Sequence, residues 1–228
     1  MLKISKNEDP CVIEIGTDEV GRGPLFGRVY TASVILPKDI KLFDHSKMKD
    51  SKKFHSKKKI KAVADYIKEN AIAWSVNYES EDVIDDINIL QATQKSMHKS
   101  IMKTRENFIN LAKENQIENY KIELLVDGNY FNPVTFLNET KTKLECIPHS
   151  CVKGGDNVYS CIAAASILAK VERDKYIDDL CEKHPELIEH YNIHSNKGYG
   201  AKVHIEGINK YGITRWHRKT FGICKQYI

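Results

Sequence analysis

An apolar segment that runs directly into two adjacent carboxylates restricts the fold more strongly than any other part of the chain. Residues 15–23, IGTDEVGRG, have the pattern of a strand that ends at Asp18 and Glu19 and is followed by a glycine-rich turn. Two like charges at the end of a buried strand are costly unless a cation compensates them. Glycines let backbone N–H groups approach a ligand closely. The segment therefore predicts a sheet edge that holds a metal ion and a phosphate group.

The rest of the chain alternates strand-like and helix-like segments. Short runs of β-branched and aromatic residues predict strands, whereas apolar residues at helical spacing predict helices. The predicted strands are 11–17, 27–36, 71–79, 121–127 and 143–147, and the predicted helices are 56–70, 88–115, 157–183 and 201–211. Ser56 is predicted to cap the first helix. This order of elements indicates a mixed α/β sheet covered by helices.

Composition narrows the class of protein without identifying it. The chain has 228 residues, 41% of them hydrophobic, and a formal net charge of +4, which suits one domain with a buried core. We find no run of about 18 apolar residues and no secretory signal, so no membrane partner is expected. The six cysteines form no C-x-x-C pair, which favours reduced thiols in a cytoplasmic setting over structural zinc.

A further carboxylate is predicted at the same edge of the sheet. Asp127 ends the apolar segment 121–127 and is followed by Gly128 and Asn129. Because open sheets bind ligands at the carboxyl ends of their strands, we expect Asp127 to lie near Asp18. The same residue types are also typical of an ordinary turn. The local pattern leaves both interpretations open.

The long helix predicted over 157–183 supplies another candidate acid. Asp174 lies seven residues after Ile167 on one stripe of this helix, which places it beside the apolar face. An alternative interpretation is a boundary residue held in an ion pair. Asp156 or Asn157 is predicted only to cap the start of the helix.

These acids match the ligand preference of a hard divalent cation. Mg²⁺ is bound by a few carboxylates together with water and substrate phosphate. Two such ions about 4 Å apart can activate water and stabilise a leaving oxygen. Because successive strand residues point to opposite faces, Asp18 and Glu19 cannot both point inward from a regular strand. We therefore expect a bent strand end near Gly21, or a ligand from the Glu19 carbonyl.

Basic and aromatic residues occur close to these acids in the sequence. Nine lysines lie between Lys41 and Lys61. Such a run is most often a solvated face, but beside a metal and phosphate site it would neutralise a nucleic-acid backbone. Tyr199 lies between two glycines, which would let a sugar or base approach its ring.

Seven motifs occur in an order that matches a known family. They are DEVGRGPLFG at 18–27, DSKKF at 50–54, LVDGN at 125–129, KGGD at 153–156, CIAAASILAKVERDKY at 161–176, NKGYG at 196–200 and HRKTF at 217–221. Together they resemble the type 2 ribonuclease H family, specifically ribonuclease HII. The resemblance implies a ribonuclease H-like five-stranded mixed sheet flanked by helices. It also implies a catalytic domain over 1–185 and a helical C-terminal extension over 186–228, packed as one unit.

The resemblance further implies roles for individual residues. The family's metal-binding and catalytic acids correspond to Asp18, Glu19, Asp127 and Asp174. Its substrate-binding positions correspond to Gly21, Arg22, Gly23, Ser51, Lys52, Lys153 and Tyr199. Two divalent ions, Mg²⁺ or Mn²⁺, are the implied cofactors.

The implied function is an endonuclease that cuts the RNA strand of RNA–DNA hybrids. It would also nick duplex DNA on the 5′ side of a single ribonucleotide, leaving a 3′-hydroxyl and a 5′-phosphate. Alternatives are a ribonuclease HIII-like enzyme that prefers long RNA tracts and a non-catalytic nucleic-acid-binding module on the same fold. Phe26 and Arg28 depart from the usual family residues, which bears on substrate preference. We expect a monomer; a sliding-clamp partner is compatible with the family, although no clamp-binding motif is readable.

Overall fold

The fold is described by a computed structural model over residues 1–138 and 142–227. Its strands are β1 (Val12–Val20), β2 (Val29–Ile35), β3 (Ala73–Glu79), β4 (Lys121–Asp127), β5 (Thr135–Leu137), β6 (Leu144–Cys146) and β7 (His149–Val152). Five of them form one sheet in the order β3-β2-β1-β4-β7. The first three strands pair antiparallel, whereas β4 pairs parallel with both β1 and β7. The mixed five-stranded sheet predicted from the sequence is confirmed.

Helices cover both faces of this sheet. They are α1 (Lys57–Asn70), α2 (Glu81–Glu114), α3 (Ser160–Lys183), α4 (Glu186–Tyr191), α5 (Ile193–Asn196) and α6 (Lys202–Tyr211), with single 3₁₀ segments at His45–Lys47, Ser51–Lys53, Gly155–Asn157 and Gly222–Tyr227. Ser56 caps α1, as predicted, by accepting a hydrogen bond from the Lys59 N–H. Within the described residues, no helix has both the length and the apolar character that crossing a bilayer requires.

The second helix begins seven residues earlier than predicted. The hydroxyl of Ser80 accepts a hydrogen bond from the Val83 N–H and starts the helix there. At Asn88, where the sequence predicted the helix to begin, the backbone has a φ of 65° and joins two helical segments. The Asn88 side chain accepts a hydrogen bond from the Gln91 N–H. The predicted start is therefore the cap of the second segment.

Helix α3 lies unusually close to the centre of the sheet. A Cβ added at Gly16 on β1 would lie 2.6 Å from the backbone nitrogen of Ile162, so glycine is required at this crossing. Three consecutive alanines, 163–165, continue the contact and are completely buried. This approach brings the middle of α3 to the carboxyl end of β1.

The fifth strand of the sheet is not the one that the sequence predicted. Leu144–Cys146 is a strand, but it pairs with β5 in a separate two-stranded hairpin. The edge position beside β4 belongs to His149–Val152 instead. Residues 144–146 are all exposed, whereas β7 is partly buried. The apolar pattern of the earlier segment reflects hairpin pairing and not burial in the main sheet.

The C-terminal helices form an apolar cluster with the rest of the chain. Phe26 and Ile177 are completely buried in this cluster together with Leu187, Ile193 and Ile208 from α4–α6. The helical extension implied by the resemblance is therefore present up to residue 227, and Ile228 lies outside the described residues. We propose that 1–185 and 186–228 fold as one unit, because Phe26 precedes β2 while most of its neighbours lie beyond residue 176.

Candidate active site

A cavity of about 410 Å³ opens where β1 and β4 end. The predicted site residues that line it are Asp18, Glu19, Gly21, Arg22, Gly23, Ser51, Lys52, Asp127 and Tyr199. They come from separate strands, loops and the C-terminal extension. Two predicted residues, Lys153 and Asp174, do not line it. The fold thus brings together nine of the eleven residues named from the sequence.

Asp18 and Asp127 lie side by side at the ends of neighbouring parallel strands. The register pairs Thr17 with Val126, so the two acids follow at the next position. Asp18 is paired with Ala32, which packs under α3, and Asp127 lies two residues after Leu125 in the same core. Both carboxylates therefore occupy the α3 face of the sheet.

Each of these carboxylates accepts hydrogen bonds from nearby donors. Asp18 Oδ1 accepts one from the Glu19 N–H at 2.7 Å, and the Ser166 hydroxyl of α3 donates another to the same carboxylate. Asp127 Oδ1 accepts a hydrogen bond from the Gly155 N–H at 2.6 Å. These bonds hold the two acids in place but supply no full positive charge.

Glu19 reaches the cavity without the strand bend that the sequence predicted. The ladder stays regular through Val20, and Glu19 is paired with Thr31, which contacts α2. The side chains of Asp18 and Glu19 therefore project from opposite faces of the sheet. The cavity extends around the end of β1 and includes both of them. The Glu19 carboxylate accepts a hydrogen bond from the Arg22 guanidinium at 3.1 Å. The turn itself begins after the acids, at Gly21, whose φ of 96° suits glycine.

The electrostatics of the cavity favour a bound cation. Burial raises the pKa of Asp18 well above its usual value, and the charges of Glu19 and Asp127 raise it further. Burial also raises the pKa of Glu19, although Arg22 opposes the shift. Ionised carboxylates in such a setting are unfavourable until a positive charge offsets them.

Asp156 is a cavity carboxylate that the sequence reasoning missed. Its side chain is buried, lines the cavity and accepts a hydrogen bond from the Asn157 amide at 3.0 Å. Burial, followed by the charges of Asp50 and Asp127, raises its pKa. The predicted capping role is wrong, because α3 begins at Ser160 and no side chain caps it. The turn before Asp156 places Gly154 at a φ of 66°, a conformation that suits glycine.

Asp174 is held elsewhere, in an ion pair. Both of its carboxylate oxygens accept hydrogen bonds from the Lys170 ammonium one turn earlier, at 2.6 and 2.7 Å. Ser166, which contacts Asp18, lies eight residues before Asp174, or about 12 Å along the helix axis. The predicted set of four acids thus differs from the acids that line the cavity, because Asp50 and Asp156 are present there and Asp174 is not.

The donor set of the cavity fits an ion that keeps part of its own hydration. Across residues 1–138 and 142–227, no three histidine, cysteine or acidic side chains are close enough to enclose a metal by themselves. Structural zinc requires such a closed set. Mg²⁺ instead binds a few carboxylates and completes its shell with water and substrate phosphate. The cavity is open, and the acidic side chains that line it offer carboxylate oxygens, which matches that preference.

Tyr199 and Lys52 also line the cavity. The Tyr199 ring is 51% exposed, and its Cε1 would lie 3.5 Å from a Cβ built on Gly23. The ring therefore packs beside Gly23. Lys52 follows Ser51, whose buried hydroxyl is hydrogen-bonded to that of Ser166 at 3.0 Å. This bond ties the lysine-bearing turn to the helix that contacts Asp18.

Comparisons with known proteins match almost the whole chain to one family. The model of the family described as ribonuclease HII matches residues 15–224. The ribonuclease HII of Parabacteroides distasonis is 41% identical over 216 residues, which cover 95% of this chain and 93% of that protein. The ribonuclease HII of Bacteroides thetaiotaomicron is 40% identical over 223 residues, covering 98% and 95%.

Solved structures share the fold at lower sequence identity. The ribonuclease H2 of Pyrococcus horikoshii superposes with a TM-score of 0.67 at 21% identity, covering 94% of this chain and 96% of that one. The ribonuclease HII in the PCNA complex from Archaeoglobus fulgidus gives 0.62 at 22%, covering 92% and 96%. The Bst ribonuclease HIII in complex with Mn²⁺ gives 0.63 at 18%, covering 95% and 69%. These similarities concern the fold alone.

Proposed function

Because the chain belongs to the ribonuclease HII family, we propose that it nicks duplex DNA on the 5′ side of a single embedded ribonucleotide and cuts RNA–DNA hybrids. Membership of the family makes it a metal-dependent ribonuclease. The observation that carries the finer proposal is the shared cavity of Asp18, Asp127 and the Gly21–Gly23 turn, with Tyr199 at its rim. Carboxylates that could hold a metal therefore lie next to a surface of the size needed to recognise a sugar.

Asp18, Glu19, Asp127 and Asp156 would hold Mg²⁺ or Mn²⁺. When bound, two such ions supply an activated water and charge stabilisation at the leaving oxygen, which phosphodiester hydrolysis requires. Mn²⁺ is present in the solved ribonuclease HIII, which supports its use as a probe here. Ser166 would keep the Asp18 carboxylate oriented, since its hydroxyl donates to that group.

The remaining cavity residues would bind the nucleic acid. Lys52 would neutralise a backbone phosphate, and the half-exposed Arg22 would present its planar fork to another. The ring of Tyr199 would stack against the sugar or base of the ribonucleotide. The 2′-hydroxyl is the group that separates RNA from DNA, and the backbone N–H groups of the Gly21–Gly23 turn would contact it. Lys153 is exposed beside Gly154 at the rim, where it would meet a more distant phosphate.

The proposal also covers the cellular location, the oligomeric state and a protein partner. We place the protein in the cytoplasm as a monomer, a setting that suits the six free cysteines. The Archaeoglobus fulgidus relative has been solved with PCNA, which supports a sliding clamp as a partner to be tested in binding assays.

Cleavage of a defined duplex tests the proposal directly. A DNA duplex with one ribonucleotide is incubated with the protein and Mg²⁺, and an all-DNA duplex of the same sequence is the control. We expect one nick on the 5′ side of the ribonucleotide, with a 3′-hydroxyl and a 5′-phosphate, and none in the control. Absence of a Mg²⁺-dependent nick would contradict the proposal. Strong cleavage of a long RNA–DNA hybrid without nicking of the single ribonucleotide would instead favour the ribonuclease HIII-like alternative.

A further inference from the structure

Arg218 is a completely buried guanidinium whose hydrogen-bond acceptors are backbone carbonyls. The accepting carbonyls belong to Gly21 (2.6 Å), Arg22 (3.0 Å), Pro24 (2.9 Å) and Gly27 (2.8 Å). Burial and the nearby Arg173 lower the pKa of Arg218 to about 9. One side chain of the C-terminal extension thus donates hydrogen bonds to four carbonyls of the loop that borders the cavity.

These hydrogen bonds determine where two N–H groups of the loop point. In a trans peptide the C=O and the following N–H point in opposite directions, and no cis peptide occurs among the described residues. Since the carbonyls of Gly21 and Arg22 point toward Arg218, the N–H groups of Arg22 and Gly23 point away from it. Arg218 is enclosed by the protein, whereas the three turn residues line the cavity. Both N–H groups therefore face the cavity.

Neither of these N–H groups has a partner within residues 1–138 and 142–227. The loop is also restrained on its other side, because Gly21 packs against Arg173, whose Cδ would lie 2.6 Å from a Cβ at that position. The Tyr199 ring lies beside Gly23. Two free donors next to an exposed aromatic ring form a site for an oxygen acceptor on a sugar.

We propose that Arg218 is a positioning residue that keeps the N–H groups of Arg22 and Gly23 directed at the 2′-oxygen of the ribonucleotide. The inference rests on the proposed function and deepens it. Without the guanidinium fork the two peptide groups can rotate, and the donors turn away from the cavity. Preference for ribose over deoxyribose then falls, because the 2′-oxygen is absent from DNA.

A ratio of two dissociation constants tests this role. Binding of a duplex with one ribonucleotide and of the matching all-DNA duplex is measured in the Asp18→Asn background, where cleavage is suppressed. Partial unfolding changes both constants by the same factor and leaves their ratio unchanged. We expect Arg218→Lys to reduce the preference about tenfold, the value of roughly one net hydrogen bond.

Arg215→Lys is the control for the arginine-to-lysine change. Arg215 belongs to the same C-terminal extension, but its side chain is exposed and its guanidinium carbon lies 4.5 Å from the centroid of the Trp216 ring, away from the carbonyls that Arg218 binds. We expect this variant to keep the preference of its parent. An Arg218→Lys variant that keeps the parental preference, or that weakens both duplexes equally, would overturn the inference. Because nicking by the wild-type protein is measured separately, that result would leave the proposed function intact.

A second measurement needs no substitution and applies even where Arg218→Lys does not fold. The amide resonances of Arg22 and Gly23 are followed in the wild-type protein without metal as each duplex is added. We expect both amide protons to shift further with the ribonucleotide duplex than with the all-DNA duplex. Equal shifts with the two duplexes would contradict the assignment of these donors to the 2′-oxygen.

Discussion

At the scale of single residues, Asp18 carries the largest electrostatic cost in the cavity. Its carboxylate is 5% exposed and faces two other acids. The Ser166 hydroxyl and the Glu19 N–H stabilise its ionised form, but burial outweighs them and the pKa rises. Folding is therefore unfavourable for the charged form of Asp18, and a bound divalent cation would remove that cost.

Asp18→Asn is expected to stabilise the metal-free protein while abolishing cleavage. In the folded protein the pKa of Asp18 lies above its usual value of about 3.9. The protonated carboxyl therefore stabilises the fold relative to the ionised one, and this stabilisation is lost as pH rises through the folded-state pKa. At pH 7 the variant avoids this loss, and we expect a melting temperature about 2–4 °C higher for each kcal/mol regained. Thermal unfolding in EDTA from pH 4 to pH 8 measures it. A variant with the parental pH dependence and no higher melting temperature would contradict the electrostatic account.

A pair of variants distinguishes the two candidate fourth acids. Asp156→Asn removes a carboxylate that lines the cavity, whereas Asp174→Asn removes one that is bound by Lys170. We expect the first to lower kcat about 10- to 100-fold, the effect typical of residues that support a metal site. The second should retain activity within about threefold. Mg²⁺-dependent nicking assays measure both, and the reverse order of effects would restore the acid set predicted from the sequence.

The difference between Asp127 and Asp156 shows what a sequence reveals about a site. Asp127 ends a clear apolar strand, so the rule for strand ends located it beside Asp18. The position of Asp156 depends on β7 pairing with β4 and on the Gly155 N–H reaching Asp127, 28 residues away in the chain. No local pattern reports that pairing. The burial of this polar turn could therefore not be predicted from the sequence, and a capping role was the ordinary expectation for Asp156.

At the scale of elements, α6 and the turn before Arg218 share a buried pair of histidines. The Thr214 N–H donates to His217 Nδ1 at 2.9 Å, so the His217 proton lies on Nε2. That nitrogen lies 3.1 Å from His204 Nε2, which accepts, and His204 Nδ1–H donates to the Tyr199 carbonyl at 2.8 Å. The chain of hydrogen bonds fixes both tautomers and ends at the backbone of Tyr199.

The two histidines are expected to remain neutral in mildly acidic solution. Burial lowers the pKa of His204, and burial and His204 lower that of His217 to about 3. Because the unfolded chain takes up these protons below about pH 6.5, stability is lost as pH falls from there toward 3. Ring ¹⁵N shifts should show Nδ1–H on His204 and Nε2–H on His217 between pH 7.5 and 5. Titration of either ring near pH 6.5 would show that the pair is not buried as described.

Element boundaries were predictable only where local chemistry determines them. The Ser56 cap and the strand 121–127 agree with the structure because hydroxyl capping and an apolar run act locally. Two strand-like segments compete for the fifth position in the sheet, and their choice depends on which one packs beside β4. That choice is a tertiary effect, so the sequence favoured the more apolar 143–147 over His149–Val152.

At the scale of the whole molecule, the C-terminal extension holds the loop that borders the cavity. The Leu25 N–H donates to the Gly198 carbonyl and the Gly27 N–H to the Trp216 carbonyl, each at 2.9 Å. Phe26 between them is completely buried among residues of the extension. The extension therefore contributes both Tyr199 and the support for the Gly21–Gly23 turn. Separation of the two parts would dismantle the site.

Cooperative unfolding of the whole chain follows from this interlocking. The two tryptophans report on different parts, Trp74 on β3 and Trp216 in the extension. We expect urea unfolding curves of Trp74→Phe and Trp216→Phe, followed by the fluorescence of the remaining tryptophan, to have the same shape. Far-UV circular dichroism of each variant provides its own reference midpoint. In Trp74→Phe the remaining tryptophan is Trp216. If its fluorescence midpoint differs from the circular-dichroism midpoint of the same variant, the extension unfolds separately.

Anomalous diffraction from Mn²⁺-soaked crystals of the protein with a ribonucleotide-containing duplex tests the central claim most directly. Asp18→Asn protein, or wild-type protein soaked briefly, would keep the duplex uncut. The account predicts Mn²⁺ peaks between the ends of β1 and β4, within bonding distance of Asp127 and Asp156, with the ribonucleotide beside Tyr199. Peaks that lie on Asp174 and away from Asp127, or a ribonucleotide bound outside this cavity, would contradict it.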